Sequence, residues 1–325
     1  MNVLVTGANG LLGHHVVMEL LKQQHAVHIL VRSKRKIHFD LKQVTVTEGL
    51  FTDHDTLTRA ARGCDAIIHI AAVTATDLLK YEDYSSINVD GAAQVIKVGE
   101  ELNIPGLVYV SSANTIGFGN EQQAGDERST IQYPFTASFY ARSKAQAEQL
   151  MFKASAKPGR HVIIVNPTFM LGAYDVKPSS GKLLLMGYKR RVMFVPKGGK
   201  NFVPVHDVAV AVCNALTMGR NGERYLASGI DLSFKEYYTL QKEVGKYRQM
   251  IIELPDILLL SVAKAGDLLR RLGLKTELCT MNLRQLLIRE YYSNRKAITE
   301  LNMPQTGILV AIKEAIDWFK DQNTI

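Results

Sequence analysis

Tyr140 and Lys144 stand four residues apart in Tyr140-Ala141-Arg142-Ser143-Lys144, and on a helix that spacing puts both side chains on one face. A phenol beside an ammonium is a proton-transfer pair. Free tyrosine titrates near 10, so bringing it to about 7 needs roughly 4 kcal/mol, which one ammonium at ~4 Å supplies at an effective dielectric of ~20. Burial of the phenolate works against this shift, so further donors or the positive charge of an oxidised cofactor must help. The same spacing recurs at Tyr238/Lys242 and Tyr292/Lys296, and context separates the three. Tyr140 follows the fifth strand-like run, and Ser111-Ser112 closes that run 28 residues upstream. A hydroxyl there can hydrogen-bond a substrate carbonyl and polarise it. The other two pairs are expected on solvated helix faces.

A second pattern binds rather than reacts. Asn2–Thr6 reads as a strand and runs into Gly7-Ala8-Asn9-Gly10-Leu11-Leu12-Gly13, with an amphipathic helix after it. In a dinucleotide site the first glycine makes the tight turn, the second admits the pyrophosphate, and the third lets helix and strand pack closely. Backbone N–H groups around Asn9, Leu11 and Leu12 then face the phosphates at the positive end of the helix dipole. At the end of the second strand, an acid would bind a ribose 2′-hydroxyl and a base a 2′-phosphate. The run there is Val31-Arg32-Ser33-Lys34-Arg35-Lys36, which contains no carboxylate. Arg32 and Lys34 therefore point to NADP(H), with NAD(H) as the alternative.

These residues need a scaffold that brings strand ends together. Short β-branched runs near 2–6, 26–31, 43–47, 66–70, 107–111 and 161–165 alternate with helical patterns near 11–23, 54–62, 83–102 and 137–156. That alternation predicts an α/β fold, a Rossmann-type doubly wound parallel sheet, with ligands at the carboxyl ends of its strands. After residue 167 the pattern is irregular: Gly, Pro and basic residues crowd 172–204, a strand-like piece follows at 202–205, and helices are expected at 206–218, 233–246, 255–272 and 308–320. The division expected is an NAD(P)-binding domain over 1–167 and a smaller substrate-binding cap over 168–325, with some segments returning to the sheet.

The 325 residues carry a net charge of +8, but the basic residues are scattered and no finger or basic arm is present, so nucleic acid is not expected as a partner. Cys64, Cys213 and Cys279 are far apart, which predicts neither disulfides nor a metal site and fits the cytoplasm. The most apolar late run, Ile257–Ala263, is far too short to span a bilayer, so no stable membrane insertion is expected. It reads as a core or interface helix. The apolar runs 183–186, 193–195 and 257–262 suggest an apolar, lipid-like or aromatic substrate, although core packing explains 257–262 at least as well.

Taken together, the chain resembles the extended short-chain dehydrogenase/reductases, the NAD-dependent epimerase/dehydratase superfamily, and within it the dihydroflavonol-reductase-like branch. The resemblance is carried by Gly7/Gly10/Gly13, Asp65–Ala72, Tyr109-Val110-Ser111-Ser112, Tyr140/Lys144, Asn166-Pro167 and Phe202–Ala209, with Asp317-Trp318-Phe319 near the end. It implies a nicotinamide-dependent oxidoreductase in which Ser112 binds the carbonyl, Tyr140 is the acid/base, and Lys144 lowers its pKa and holds the nicotinamide ribose. It further implies that Ala71, Ala72 and Val73 line the cofactor, that Ser111 adjoins it, and that Pro167 abuts the nicotinamide. The family's adenine-contacting aspartate is replaced by Leu50, leaving that contact to main chain around Phe51 or to Asp53. Ala113-Asn114 replaces the Asp-Glu of sugar dehydratases, which argues against dehydration. His69 and His206 read as structural, and Asn88 as either a helix-packing or a site residue. Reduction of an aldehyde or ketone is the leading expectation, and the alternative is a nucleotide-sugar epimerase holding NAD, with Lys182, Lys189–Arg191, Lys197 and Lys200 available for a diphosphate. A homodimer through the helices at 83–102 and 137–156 is expected by family analogy.

Overall fold

The computed structural model describes residues 1–35, 37–75 and 77–325. Lys36, which closes the basic run, falls outside them. The first half alternates as its periodicity requires: β1 (Asn2–Thr6), α1 (Leu11–Lys22), β2 (Ala26–Val31), β3 (Val44–Glu48), α2 (His54–Ala61), β4 (Ala66–His69), α3 (Glu82–Asn88), α4 (Asp90–Glu101), β5 (Gly106–Val110), α5 (Phe139–Ser155) and β6 (His161–Pro167). The second half continues with β7 (Phe169–Leu171), α6 (Gly181–Gly187), β8 (Val192–Val195), β9 (Gly199–Pro204), α7 (Val205–Met218) and β10 (Arg224–Ala227). It closes with β11 (Ile230–Ser233), α8 (Phe234–Gly245), β12 (Met250–Glu253), α9 (Asp256–Arg271), α10 (Thr280–Gln285), α11 (Arg295–Leu301) and α12 (Ile308–Asp321).

Seven strands form the central sheet in the order β10-β6-β5-β4-β1-β2-β3, and every pairing in it is parallel. Both faces of the inner strands are covered, which is why β1, β4, β5 and β6 read as largely continuous apolar runs, whereas the half-exposed edge strand β3 alternates. Successive side chains of β1 serve opposite layers. Val3 and Val5 pack with Val16, Val17 and Val212 on one side, and Leu4 packs with Leu57, Val95 and Met151 on the other. Each such side chain contributes about 1.5–3 kcal/mol by leaving water. The strand order reverses between β1 and β4, so a crevice opens at their carboxyl ends. The glycine turn and Ala71 stand at that crevice.

The remaining strands make two small sheets, β11-β9-β7 and β12-β8. Their strands are three or four residues long apart from β9, too short to show a period in sequence. Leu184, Tyr237, Tyr238, Ile312 and Phe319 form the core of this part. The buried Asp207 carboxylate accepts hydrogen bonds from Thr306 N (2.8 Å) and Thr306 Oγ1 (2.7 Å), tying α7 to the segment before α12.

Three expectations are corrected here. The helix expected over 83–102 breaks at Val89 into α3 and α4. Asn88, just before the break, accepts from Val73 N (2.8 Å) and donates to Val73 O (3.1 Å) and Ser143 Oγ (2.9 Å), so it clamps the loop after β4 to α5. Neither spare tyrosine is solvated: Tyr238 is buried and donates to Leu183 O (2.9 Å), and Tyr292 is buried outside any helix, its hydroxyl 3.4 Å from Ala113 O. Finally, Ile257, Leu258 and Val262 are exposed on α9 rather than packed in a core.

Candidate active site

The glycine turn has the shape its spacing implies. Gly7 sits at φ +79°, and a Cβ there would lie 2.8 Å from Ala71 N. At Gly13 a Cβ would fall 2.0 Å from Gly7 O, so helix α1 can lie against the turn only with glycine at that position. Gly10 is different. It is exposed, and a Cβ there would meet nothing nearer than 3.4 Å, so its hydrogen keeps open the ground in front of the helix end. Gly10 is the N-cap of α1, no side chain caps it, and the first turn holds no acid. Intrahelical bonding begins with His14 N to Gly10 O at 2.9 Å. The N–H groups of Leu11, Leu12 and Gly13 are thus directed at the crevice beside Asn9, as a pyrophosphate requires.

The adenine end holds a surprise. Parallel pairing sets Glu48, at the end of β3, level with Val31, next to Arg32. Glu48 accepts from Lys34 N (3.3 Å) and its carboxylate lies 3.4 Å from Lys34 Nζ. The carboxylate missing from the loop is therefore supplied by the neighbouring strand, and it holds Lys34. Arg32 is exposed and has no ion-pair partner among the described residues. Asp53 is committed elsewhere: it caps α2 by accepting from Thr56 N at 2.9 Å. Phe51 packs on Gly91, where a Cβ would lie 2.4 Å from its ring, and its ring centroid is 5.1 Å from that of His69.

At the other end of the crevice, α5 carries the titratable pair. Ser138 caps α5 through Ala141 N (3.4 Å), which fixes where Tyr140 emerges in the first turn. Tyr140 is half-buried and shares a hydrogen bond with the Ser112 hydroxyl. Burial pushes its phenol above the usual value, and the bond to Ser112 pulls it partly back. Ser112 is itself oriented as the cap of a short turn, accepting from Asn114 N at 3.2 Å. Lys144 is buried one turn below Tyr140. Its Nζ donates to Val110 O (2.7 Å) and lies 4.3 Å from the centre of the Tyr109 ring. Desolvation brings its ammonium down to about 7, with Glu148 opposing the shift. In the structure the Lys144 ammonium is bonded to Val110 O, and the contact that lowers the Tyr140 phenol is the Ser112 hydroxyl.

Beside them, the Ser111 hydroxyl is buried without a hydrogen-bond partner among the described residues. Pro167 is buried at the end of β6, and Ala71, Ala72 and Val73 are half-buried where β4 opens into the crevice. An unpartnered hydroxyl, a glycine cradle and an open helix end fit a nicotinamide dinucleotide. His69 is structural. Its Nδ1 pairs with Thr6 Oγ1 at 2.7 Å, and burial drops its pKa to about 3. His206 stays half-exposed, 3.9 Å from the Glu19 and Asp207 carboxylates.

Comparison with known proteins agrees with this geometry. The model of the NAD dependent epimerase/dehydratase family matches residues 3–227. The chain belongs to that family. It is 27% identical to a Synechocystis protein provisionally named dihydroflavonol 4-reductase, over 99% of this chain and 95% of that one. It is also 27% identical to sterol demethylase protein B of Methylococcus capsulatus, over the whole of both chains. Among solved structures, that of gox2253 superposes with a TM-score of 0.87 at 26% identity, covering 99% of each chain. The protein is an NAD(P)-dependent oxidoreductase of the extended short-chain dehydrogenase/reductase type.

For this member of the family, part of the site comes from residues that sequence reasoning passed over. Glu148 is buried four residues beyond Lys144 and accepts from Thr115 Oγ1 and Asn166 Nδ2, both at 2.6 Å. Asn166 Nδ2 also donates to Ser112 O at 3.1 Å, and Thr115 Oγ1 lies 2.8 Å from the same oxygen, so Glu148 anchors the loop that presents Ser112. The signal was available in the four-residue spacing Tyr140, Lys144, Glu148. A cavity of about 240 Å³ opens beside Tyr140, walled by Leu78, Phe139, Met281, Asn114 and, from α9, Asp267 and Arg270. The apolar runs 183–186, 193–195 and 257–262 do not line it. Of the basic residues expected to hold a diphosphate, Lys182 pairs with Glu277 (2.9 Å), Lys197 lies 3.9 Å from Asp256, and the half-buried Lys200 pairs with the buried Glu290.

Proposed function

We propose that the protein is an NADP(H)-preferring reductase of an aldehyde or ketone, with Tyr140 as the general acid. The observation that favours reduction over epimerisation is the wall of the cavity facing Tyr140. Its one guanidinium, Arg270, already donates to Leu78 O (2.8 Å) and lies 3.4 Å from Cys279 Sγ. A nucleotide diphosphate needs several charge-assisted contacts, and the wall adds no second cation to Arg270 but carries the Asp267 carboxylate. Its neutral polar groups (Asn114, Asn282, Gln285) suit an oxygenated substrate, and Leu78, Phe139 and Met281 meet its carbon. Two relatives are named for a dihydroflavonol and a sterol, both ring systems that are largely carbon, and a substrate of that kind suits these residues.

In this reading a bound nicotinamide supplies the hydride, and the residues of the chain manage the proton and the pose. Ser112 hydrogen-bonds the carbonyl oxygen. The phenol of Tyr140, kept protonated at neutral pH by burial, gives its proton to the same oxygen as negative charge develops there. Lys144 and Glu148 hold the two hydroxyls in register through Val110, Thr115 and Asn166. A screen of aldehydes and ketones should show substrate-dependent NADPH oxidation, strongest with large apolar ketones. Copurified stoichiometric NAD with interconversion of a nucleotide sugar, and no net NADPH oxidation, would establish the epimerase instead.

The cofactor preference rests on Arg32, since Glu48 already engages Lys34. A charge-assisted contact to a 2′-phosphate is worth roughly 1.5–3 kcal/mol, so Arg32→Ala should weaken NADPH about 10–150-fold. NADH affinity should stay unchanged. Fluorescence titration of both cofactors tests this, and equal affinities in the unmutated protein would remove the preference altogether.

A further inference from the structure

Helix α9 is packed the wrong way round for a soluble helix. Small residues face the protein: Ala263 and Gly266 are buried, and a Cβ at Gly266 would lie 1.4 Å from Leu278 O. The large apolar residues face out instead, with Ile257 77% exposed, Leu268 59% and Leu272 70%. Leu258, Val262 and Leu269 extend this stripe along the helix, and Leu274 and Leu278 extend it beyond the helix end. The small sheet just before α9 repeats the inversion. Val192 and Phe194 on β8 pair with Met250 and Ile252 on β12, and all four are exposed on one face. Leu254 N donates to Val195 O (2.8 Å) where this sheet passes into α9.

Such a surface exceeds the scattered exposed leucines of ordinary proteins, and patches of this kind mark interaction sites. Its charge says which partner. Residues 186–197 and 246–275 contain ten Lys and Arg against three Asp and Glu, nearly the whole net charge of the chain. Of the three acids, Asp256 lies 3.9 Å from Lys197 and Asp267 accepts from Thr280 N at 2.9 Å, which leaves Glu253 as the one exposed carboxylate of the sheet edge. Lys189, Arg190 and Arg191 directly precede the exposed strand, and Lys264, Arg271 and Lys275 flank the exposed leucines, all of them exposed. Apolar side chains ringed by cations match the acyl boundary and headgroups of an anionic bilayer. A second copy of this chain fits poorly, because a two-fold contact sets the same basic patch against itself.

We propose that α9 and the β8–β12 sheet form a docking surface for anionic phospholipid bilayers, on which the protein lies without spanning. No helix among the described residues is long and apolar enough to cross a membrane. The inner side of the same helix supplies Asp267 and Arg270 to the cavity beside Tyr140, so the docked face adjoins the mouth of the site. The proposal rests on surface chemistry and stands whether or not the reductase reading holds.

Cosedimentation with vesicles tests it, using the full chain with NADPH. Vesicles of phosphatidylcholine with about 30% phosphatidylglycerol should bind the protein, pure phosphatidylcholine should bind it weakly, and about 0.5 M NaCl should release much of it. The double variant Leu268→Glu/Leu272→Glu changes only exposed positions and should keep its melting temperature while losing about tenfold or more of the bound fraction. Arg271→Glu/Lys275→Glu should reduce binding to the anionic vesicles alone. Absence of binding to anionic vesicles, or binding unchanged in the leucine double variant, overturns the proposal. So does light scattering that shows a dimer which the leucine double variant splits into monomers, since a second copy would then cover this face.

Discussion

Tyr140→Phe is expected to lower kcat about a thousandfold while NADPH affinity stays within a few-fold. The phenol acts on a charge that exists only in the transition state, so removing it removes rate rather than ground-state binding. The ring itself remains, in the first turn of α5 with Ser138 still capping that turn through Ala141 N. Burial holds the phenol above its usual pKa, so its own ionisation should leave reduction unaffected through neutrality and make it decline only at alkaline pH. The reverse oxidation needs the phenolate and should rise over the same range. Single-turnover kinetics with separately measured cofactor dissociation constants would show both effects. Full activity in Tyr140→Phe would remove the tyrosine from the mechanism.

The sheet was legible because its inner strands, buried on both faces, had to be apolar and β-branched, as in Val3-Leu4-Val5 or Ile163-Ile164-Val165, while the half-exposed edge strand β3 showed as the alternating Val44-Thr45-Val46-Thr47. The glycine turn was legible because Gly7 and Gly13 each answer a steric demand that admits no other residue. Glu48 was not, since it meets Lys34 only through the β2–β3 register, and no local pattern links residues 14 apart. The cavity wall was hidden for a related reason. Asp267, Arg270 and Met281 lie well over a hundred residues from Tyr140, and only the tertiary fold of the cap brings them there. The apolar runs of the cap misled because hydropathy reports apolar character without its direction. At 183–186 part of that character lies in a core, as Leu184 does, while at 257–262 it faces outward.

Glu148 shows how the proton-transfer pair and the fold depend on one another. It raises the pKa of Lys144 while gripping Thr115 and Asn166, and its other oxygen lies 3.4 Å from Arg224 on β10, the edge strand added by the second half of the chain. A buried carboxylate with three partners is stable, and it gives α5 a fixed bearing on the loop after β5. The four-residue spacing therefore serves two ends: Tyr140 reaches the substrate side, and Glu148 fixes the Ser112 loop.

Lys144→Met is expected to lower turnover by about two orders of magnitude and yet make the protein more stable at pH 6. The side chain is buried, and desolvation brings its ammonium from the ordinary 10.5 down to about 7. A shift of that size corresponds to roughly 4–5 kcal/mol. In the unfolded chain the lysine keeps its proton up to about 10, whereas in the fold it releases it near 7. Between those values the unfolded state binds more protons, so stability should rise with pH by up to about 1.4 kcal/mol per unit. Below 7 both states are protonated and the whole penalty is present. Methionine has a similar length and no charge to desolvate, and its main loss is the bond to Val110 O, worth about 1 kcal/mol. The variant should thus lead the parent by a few kcal/mol at pH 6 in urea denaturation, and the lead should close towards pH 10. If Lys144→Met is instead less stable by the same amount at pH 6 and pH 9, the lysine holds the fold as an ordinary partnered charge and its burial carries no desolvation penalty.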